Sequence, residues 1–369
     1  MRDVLDDLLP RWLSGEPAGL ATVTATWSSA PRQPGAAMAV TADGAALGSV
    51  SGGCVEGAVY ELCREVAGTG VPQTVRFGVS DDDAFEVGLP CGGTIELYVE
   101  RVDRDTFPDL DVLAADIAAG RPVAVLTCVE GPPDRLGRHL VLTGDDRRGT
   151  LGSDRLDAAA GDDGRGMLAA GRTGLLHYGP DGQRRGTGLS VLVTSCAPAA
   201  RMIVFGATDH AAAVARVGAF LGYRVTVCDA RPVFATARRF PDAHDVVVDW
   251  PHRYLAAEAG AGRLDARTAV CVLTHDPKFD VPVLQVALGL PLAYVGAMGS
   301  RRTHDDRRER LREAGVTEAG LARLASPIGL DLGARTPEET AVSIAAEIVA
   351  LRWGGTGSRL TDGAGRIHP

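Results

Sequence analysis

The chain has 369 residues, 45% hydrophobic and 23% charged, as in ordinary globular proteins, and this is enough for two or three domains with real cores. Its net charge of −9 argues against nucleic acid or an anionic membrane as the main partner, while leaving room for a local basic pocket. There is no apolar run of about 18 residues, acids stand at Asp3, Asp6 and Asp7 where a signal peptide needs positive charge, and the odd cysteine count leaves a free thiol, so the expectation is a cytoplasmic protein with reduced cysteines.

The first 16 residues fit an amphipathic helix with Val4, Leu5, Leu8, Leu9 and Trp12 on one face. Strand-like runs follow at 20–26, 36–41 and 46–50. A helix fits 55–67, where Val55, Val59, Leu62 and Val66 recur at helical spacing. Strands resume at 74–79 and 94–101. A helix over 109–119 and a strand over 122–129 come next. Residues 130–190 are rich in Gly, Asp and Arg, with strand-like pieces at 139–142 and 174–177. They read as a surface hairpin extending the first domain, or as a partly mobile stretch. A strand at 189–195 ends this α+β region, and 197–200 reads as a linker. No repeat of fixed period is visible.

From Arg201 strands and helices alternate, which predicts a doubly wound parallel sheet. Strands fit 202–205, 224–228, 246–248, 269–273 and 292–295, and a helix fits 211–221. The last helix has a marked start: Thr336 as N-cap, Pro337 after it and Glu339 completing a capping box. The expected organisation is an N-terminal domain over 1–197, a Rossmann-like domain over 198–353 and a disordered tail over 354–369.

Two cysteines stand apart from the rest. They lie in Gly52-Gly53-Cys54-Val55-Glu56 and Pro90-Cys91-Gly92-Gly93. Each adjoins a Gly-Gly pair, which permits positive φ and close ligand approach. Cys54 is read as opening the 55–67 helix, where a thiolate is favoured. Packing residues and sulfur or metal chemistry both remain open readings. Cys63, Cys128, Cys196, Cys228 and Cys271 lie in apolar patterns and read as core.

The segment around Gly206 has the context of a dinucleotide turn, with a strand before it, a helix after it, and Asp229 ending the next strand. The glycine pattern is damaged. Thr208 stands at the second position, Ala211 at the third, and Asp209 puts negative charge beside a phosphate site. NAD(P) binding and a purely structural turn with a capping Thr208 or Asp209 are both open. A second segment, Gly296-Ala297-Met298-Gly299-Ser300-Arg301-Arg302-Thr303, also joins a strand to a helix. It is either an anion cradle or a Ser300 cap with solvated arginines. His275, beside Asp276 and near Asp280, is a candidate base or metal ligand, or a plain turn residue. Arg32 can reach an anion, and Glu56 can accept from a heterocycle N–H.

Five segments together resemble the xanthine dehydrogenase accessory family, XdhC/CoxI. They are Ser28-Ser29-Ala30-Pro31-Arg32, the run Gly48 to Glu56, Pro90-Cys91-Gly92-Gly93, the run Tyr294 to Arg302, and the run Pro327 to Ala334. The resemblance covers nearly the whole chain in order. It departs at the Rossmann turn, where the family usually has Gly-Ala-Gly-His and this chain has Gly206-Ala207-Thr208-Asp209. It implies a CoxI-like domain followed by a Rossmann-like domain, in a chaperone for molybdenum cofactor (molybdopterin). Such a protein protects the sulfurated cofactor and inserts it into a xanthine dehydrogenase or carbon monoxide dehydrogenase, and is not itself an enzyme. On this reading Arg32, Arg301, Arg302 and the glycine loops hold phosphate and pterin, while Cys54 and Cys91 face the metal or relay sulfur. The implied partners are the target molybdoenzyme, a cysteine desulfurase and a second copy of the chain. An NAD(P)-dependent oxidoreductase using the C-terminal sheet is the alternative.

Overall fold

The structure is a computed structural model and describes residues 1–27, 32–78 and 93–362. The chain divides into two compact units, one over Met1–Pro198 and one from Ala199 onward.

The first unit is one arrangement built twice. Helix α1 (Arg2–Ser14) leads into β1 (Ala18–Trp27), β2 (Ala37–Thr41), β3 (Ala46–Gly48), α2 (Glu56–Thr69), β4 (Gln73–Phe77) and β5 (Thr94–Val102). Helix α3 (Leu110–Ala118) leads into β6 (Val123–Glu130), β7 (His139–Thr143), β8 (Asp146–Gly149), α4 (Asp154–Ala170), β9 (Gly174–Tyr178) and β10 (Leu189–Cys196). Each half forms a 5-stranded antiparallel sheet, ordered β3-β2-β1-β5-β4 and β8-β7-β6-β10-β9. Details correspond as well. Gly48 lies opposite Met38, and Gly149 lies opposite Leu140. Both glycines have positive φ, and a Cβ would stand 2.4 Å from the Ala37 carbonyl oxygen in one half and 2.3 Å from that of His139 in the other. Both α2 and α4 end on a left-handed glycine, Gly70 and Gly171.

A shared core joins the halves, with Leu8 and Trp12 from α1, Leu110 from α3, Leu20 from β1 and Val123 and Val141 from the second sheet. The other sheet faces are covered by α2, through Val59, Cys63 and Val66, and by α4, through Leu156, Ala160 and Leu168.

This arrangement corrects two expectations. The repeat escapes notice in the sequence because the halves share strand order and turn glycines more than residue identities. Residues 130–190 hold more than a surface hairpin. Besides the antiparallel β7–β8 hairpin they contain the 17-residue α4 and β9. Gly161, Gly164 and Gly166 lower the helix propensity of α4. Yet Gly164 is where the helix meets its sheet, and a Cβ there would come within 3.0 Å of Leu126 and Leu142.

The second unit alternates strands and helices. Its elements are β11 (Arg201–Phe205), α5 (Asp209–Phe220), β12 (Arg224–Asp229), β13 (Asp245–Val248), α6 (Pro251–Gly260), β14 (Ala269–Val272), α7 (Pro277–Leu288), β15 (Tyr294–Ala297), α8 (Arg301–Glu313), α9 (Glu318–Leu321), β16 (Leu324–Ala325) and α10 (Pro337–Trp353). The six strands are all parallel, in the order β13-β12-β11-β14-β15-β16. Counted within the unit this is the Rossmann order, whose chain reverses direction across the sheet between β11 and β14. Helix α10 begins with the expected capping box of Thr336 and Glu339. Beyond its left-handed cap Gly354, the described part of the tail carries a 3₁₀ turn at Leu360–Asp362. Among the described residues no helix is long and apolar enough to cross a membrane.

Gly19 in β1 sets the distance to α2, because a Cβ there would lie 2.0 Å from the Cys63 carbonyl oxygen. Gly19→Ala must push α2 off its sheet. We expect a loss of about 1–3 kcal/mol, seen as a lower urea midpoint with an unchanged slope.

Candidate functional site

The loop from Ser49 to Val55 is organised by a single carboxylate. Glu56 is the first residue of α2, and its side chain turns back on the loop that precedes it. One oxygen accepts from the Ser49 hydroxyl at 2.8 Å and from the N–H groups of Ser51 and Gly52 at 2.8 and 2.9 Å. The other accepts from the Gly53 N–H at 2.8 Å, the Val55 N–H at 3.2 Å and the Ser51 hydroxyl. Burial opposes the charge, but the bonds from Ser51, Ser49 and the loop outweigh it and lower the pKa to about 2. Glu56 therefore accepts from its own loop in this structure.

Gly52 and Gly53 have φ of 80° and 119°, which only glycine adopts readily. Among the described residues nothing stands within 4 Å of where their Cβ atoms would be, so it is backbone conformation that requires glycine here. Cys54 lies just before the helix rather than opening it, since Val55 is the N-cap. Its N–H donates to the Ser51 hydroxyl at 3.0 Å, and the residue is half-buried. The five cysteines read as core are buried. Burial pushes the thiol of Cys63 up to about 12. Cys91 and Gly92 lie outside the described residues, and Gly93 is buried. Arg32 pairs with Asp3 at 2.9 Å.

In the second unit, Gly206 follows β11 with φ of 111°, and a Cβ there would stand 2.8 Å from Thr274. Thr208 caps α5, its hydroxyl accepting from the Ala211 N–H at 3.2 Å. Asp229 is 3% exposed and fully engaged. It accepts from the Ala207 N–H at 2.7 Å, and Arg231 forks onto its two oxygens at 2.9 and 2.8 Å. Burial works against its charge, yet Arg231 and these N–H groups hold it below the usual carboxylate range. Arg239 bonds the Ala207 carbonyl and Asp209, each at 3.2 Å. The turn is thus tied by side chains on both sides, and the carboxylate placed for a ribose is occupied.

At the ends of β14 and β15 lies a buried network that sequence reasoning misses. Arg307 donates to Asp280 at 2.9 Å, to the Met298 carbonyl at 2.7 Å and to the Ser326 hydroxyl at 3.0 Å. Thr274 bonds the other Asp280 oxygen. Arg307 and Asp280 are each 3% exposed. A charged residue at a core-facing helical position was the available signal. His275 lines a small cavity of about 70 Å³ beside this pair. Asp276 caps α7. Ser300 caps α8, and Arg301 and Arg302 are exposed in its first turn with no ion pair among the described residues. Gly296 lies inside β15, where a Cβ would crowd Ile328 at 2.6 Å.

These features define a two-unit protein, with a duplicated α+β unit presenting a thiol loop and a second unit of Rossmann type. The chain belongs to the XdhC and CoxI family. The family's model matches residues 11–78 and 116–179, a segment of each half of the first unit. The model of the XdhC Rossmann domain matches 202–348. The chain is 28% identical to the molybdenum cofactor insertion chaperone PaoD of Escherichia coli, over 95% of this chain and 88% of that protein. It is also 28% identical to a probable xanthine dehydrogenase subunit of Bacillus subtilis, over 91% of this chain and 94% of that one. A crystal structure described as a xanthine dehydrogenase from Bacillus halodurans aligns with a TM-score of 0.68 at 24% identity, over 97% of this chain and 98% of that chain, which supports the fold.

Two outcomes follow from the hydrogen bonding. Glu56 has an ordinary pKa of 4.5 and a folded one of about 2, so its contribution is complete above pH 4.5 and is lost as pH falls toward 2. Glu56→Gln should cost about 1 kcal/mol near neutral pH, allowing for solvent exposure. Urea melts across pH should show the gap to the parent narrowing in that acid window. Asp280→Ala leaves Arg307 buried without its counter-charge and should cost about 3–5 kcal/mol, measured by the same melts at neutral pH.

Proposed function

We propose that this chain is a cytoplasmic maturation chaperone that carries molybdenum cofactor to a xanthine dehydrogenase-type molybdoenzyme and shields its sulfurated form on the way. The observation that carries this reading is the end-to-end match with the Escherichia coli insertion chaperone. The cofactor is cargo here. It brings a metal already held by its own organic ligand, a labile sulfur, a pterin and a phosphate.

The residues fit such a cargo better than a resident metal. Among the described residues no three His, Cys, Asp or Glu side chains gather as a metal cage. Among the described residues, what the first unit offers is one half-buried thiol, Cys54, on a loop whose shape Glu56 already fixes, with nothing within 4 Å of a Cβ at Gly52 or Gly53. A thiol of this kind can take one coordination position or accept a sulfur atom without reorganising its loop. Cys91 with Gly92 and Gly93 is the proposed second contributor. Arg32, Arg301 and Arg302 are the proposed positive charges for phosphate. A cysteine desulfurase as sulfur source and a homodimer belong to the same proposal. The competing reading, an NAD(P)-binding oxidoreductase, has the parallel Rossmann sheet in its favour, while the occupied Asp229 and the capping Thr208 count against it.

Co-expression with the cofactor synthesis genes, purification, and conversion of bound pterin to its fluorescent oxidised form provide the test. The parent chain should carry cofactor. Cys54→Ala should carry several-fold less, with an unchanged melting temperature. Equal loading would remove the thiol from the mechanism, and an empty parent would defeat the chaperone reading.

A further inference from the structure

We propose that the carboxyl edge of β12 and β13 is a binding face for a planar heteroaromatic ring carrying one anionic group, held by Arg231, Phe234 and Trp250. None of these three residues belongs to the cargo site above, and the proposal stands without it.

Parallel sheets of this order bind ligands outside the carboxyl ends of their strands. The pairing of Asp229 with Val248 sets the ends of β12 and β13 side by side. Arg231 and Trp250 each lie two residues past that pair. Around them the molecule leaves large apolar side chains in water: Phe234 is 41% exposed, Trp250 42%, Val248 51% and Val233 75%. Concentrated exposed apolar surface at the ligand edge of a sheet marks a binding place more than a random surface does.

The groups are also preset for flat ligands. Arg231 lies over the Phe234 ring at 4.7 Å, and Arg239 lies over the same ring at 5.7 Å. The fork onto Asp229 fixes the Arg231 guanidinium in one plane. Its Nη1 has no hydrogen bond among the described residues, and its side chain is 48% exposed. Trp250 is propped against Phe279 at 5.2 Å. Guanidinium and indole faces both stack on heteroaromatic rings, and the free Nη1 donates to an anion. Three of the neighbouring acids are already paired: Asp229 with Arg231, Asp209 with Arg239, and Asp276 with Lys278; Asp249, beside Trp250, accepts from the Trp250 backbone N–H and has no ion pair among the described residues. A ligand anion therefore meets no uncompensated carboxylate from these three.

A nucleotide and a pterin acid share this chemistry, so the test uses both. Adenosine monophosphate and 6-carboxypterin are titrated by calorimetry into the full chain purified without cofactor, with NAD⁺ as a third probe. At least one of the first two should bind and should quench Trp250 fluorescence. Which one binds identifies the source. Arg231→Met should weaken binding roughly tenfold, the scale of one cation–π or base-stacking contact. Trp250→Phe should retain binding while losing most of the quench. Both positions are part-exposed, and circular dichroism checks that the variants fold. Absence of binding by both probes, or binding that neither variant alters, would overturn the proposal. Tighter binding of NAD⁺ than of either small probe would reassign the face to a dinucleotide.

Discussion

The conformation of the thiol loop rests on one carboxylate facing backward. Helix N-termini leave N–H groups unsatisfied, and a negative charge there is favoured by the peptide dipoles. In α2 the first residue, Glu56, supplies that charge and gathers the N–H groups of Ser51, Gly52, Gly53 and Val55 onto it. The glycines reach it only because they take left-handed φ. Cys54 then has no freedom to wander, since its N–H is held by the Ser51 hydroxyl that also bonds Glu56. A loop ordered before its ligand arrives loses little entropy on binding. The order comes from ionised Glu56, so it persists at any pH a cell offers.

The duplicated architecture supplies an internal control for this loop. In the second half the equivalent stretch runs from Gly149 into α4. Thr150 accepts from the Gly152 N–H at 3.0 Å, as Ser49 accepts from Gly52 at 3.0 Å. A carboxylate again reaches back, with Asp157 accepting from the Leu151 N–H at 2.7 Å. The differences lie in surroundings and chemistry. Arg135 packs over Gly152, where a Cβ would meet it at 3.1 Å, while among the described residues nothing lies within 4 Å of a Cβ at Gly52 or Gly53. No cysteine occupies the second loop. One scaffold therefore presents two similar turns, of which the first carries a thiol.

Much of this was legible in the sequence, for identifiable reasons. Periodic apolar runs located most strands, and the Thr336–Glu339 box fixed the start of α10 because its signal is local. The five core cysteines were legible from the apolar patterns around them. Helix α4 was not legible, because Gly164 is placed there by close helix–sheet contact and local propensity argues the other way. The Arg307–Asp280 pair was hidden because its partners come from separate elements that only the sheet brings together. Glu56 stands out in the sequence, but its role depends on a chain reversal set by two glycine conformations, which sequence spacing does not encode.

The same distinction bears on the Rossmann turn. The sequence defect at Thr208 and Asp209 leaves open whether a dinucleotide still fits, and the bonding narrows the answer. A pyrophosphate seeks the free N–H groups of the turn. Here the Ala207 N–H is given to Asp229, the Ala211 N–H to Thr208, and the Ala207 carbonyl is held by Arg239. A pyrophosphate that took the Ala207 N–H would have to displace Asp229 from it, and a hydrogen bond to a charged group is worth about 1.5–3 kcal/mol. That cost falls only on ligands that insert into the turn. A ligand resting on the Arg231, Phe234 and Trp250 edge keeps Asp229 in place and uses it, because the same carboxylate that closes the turn is what holds Arg231 flat. Closing one subsite and presetting the next are then two effects of a single buried acid.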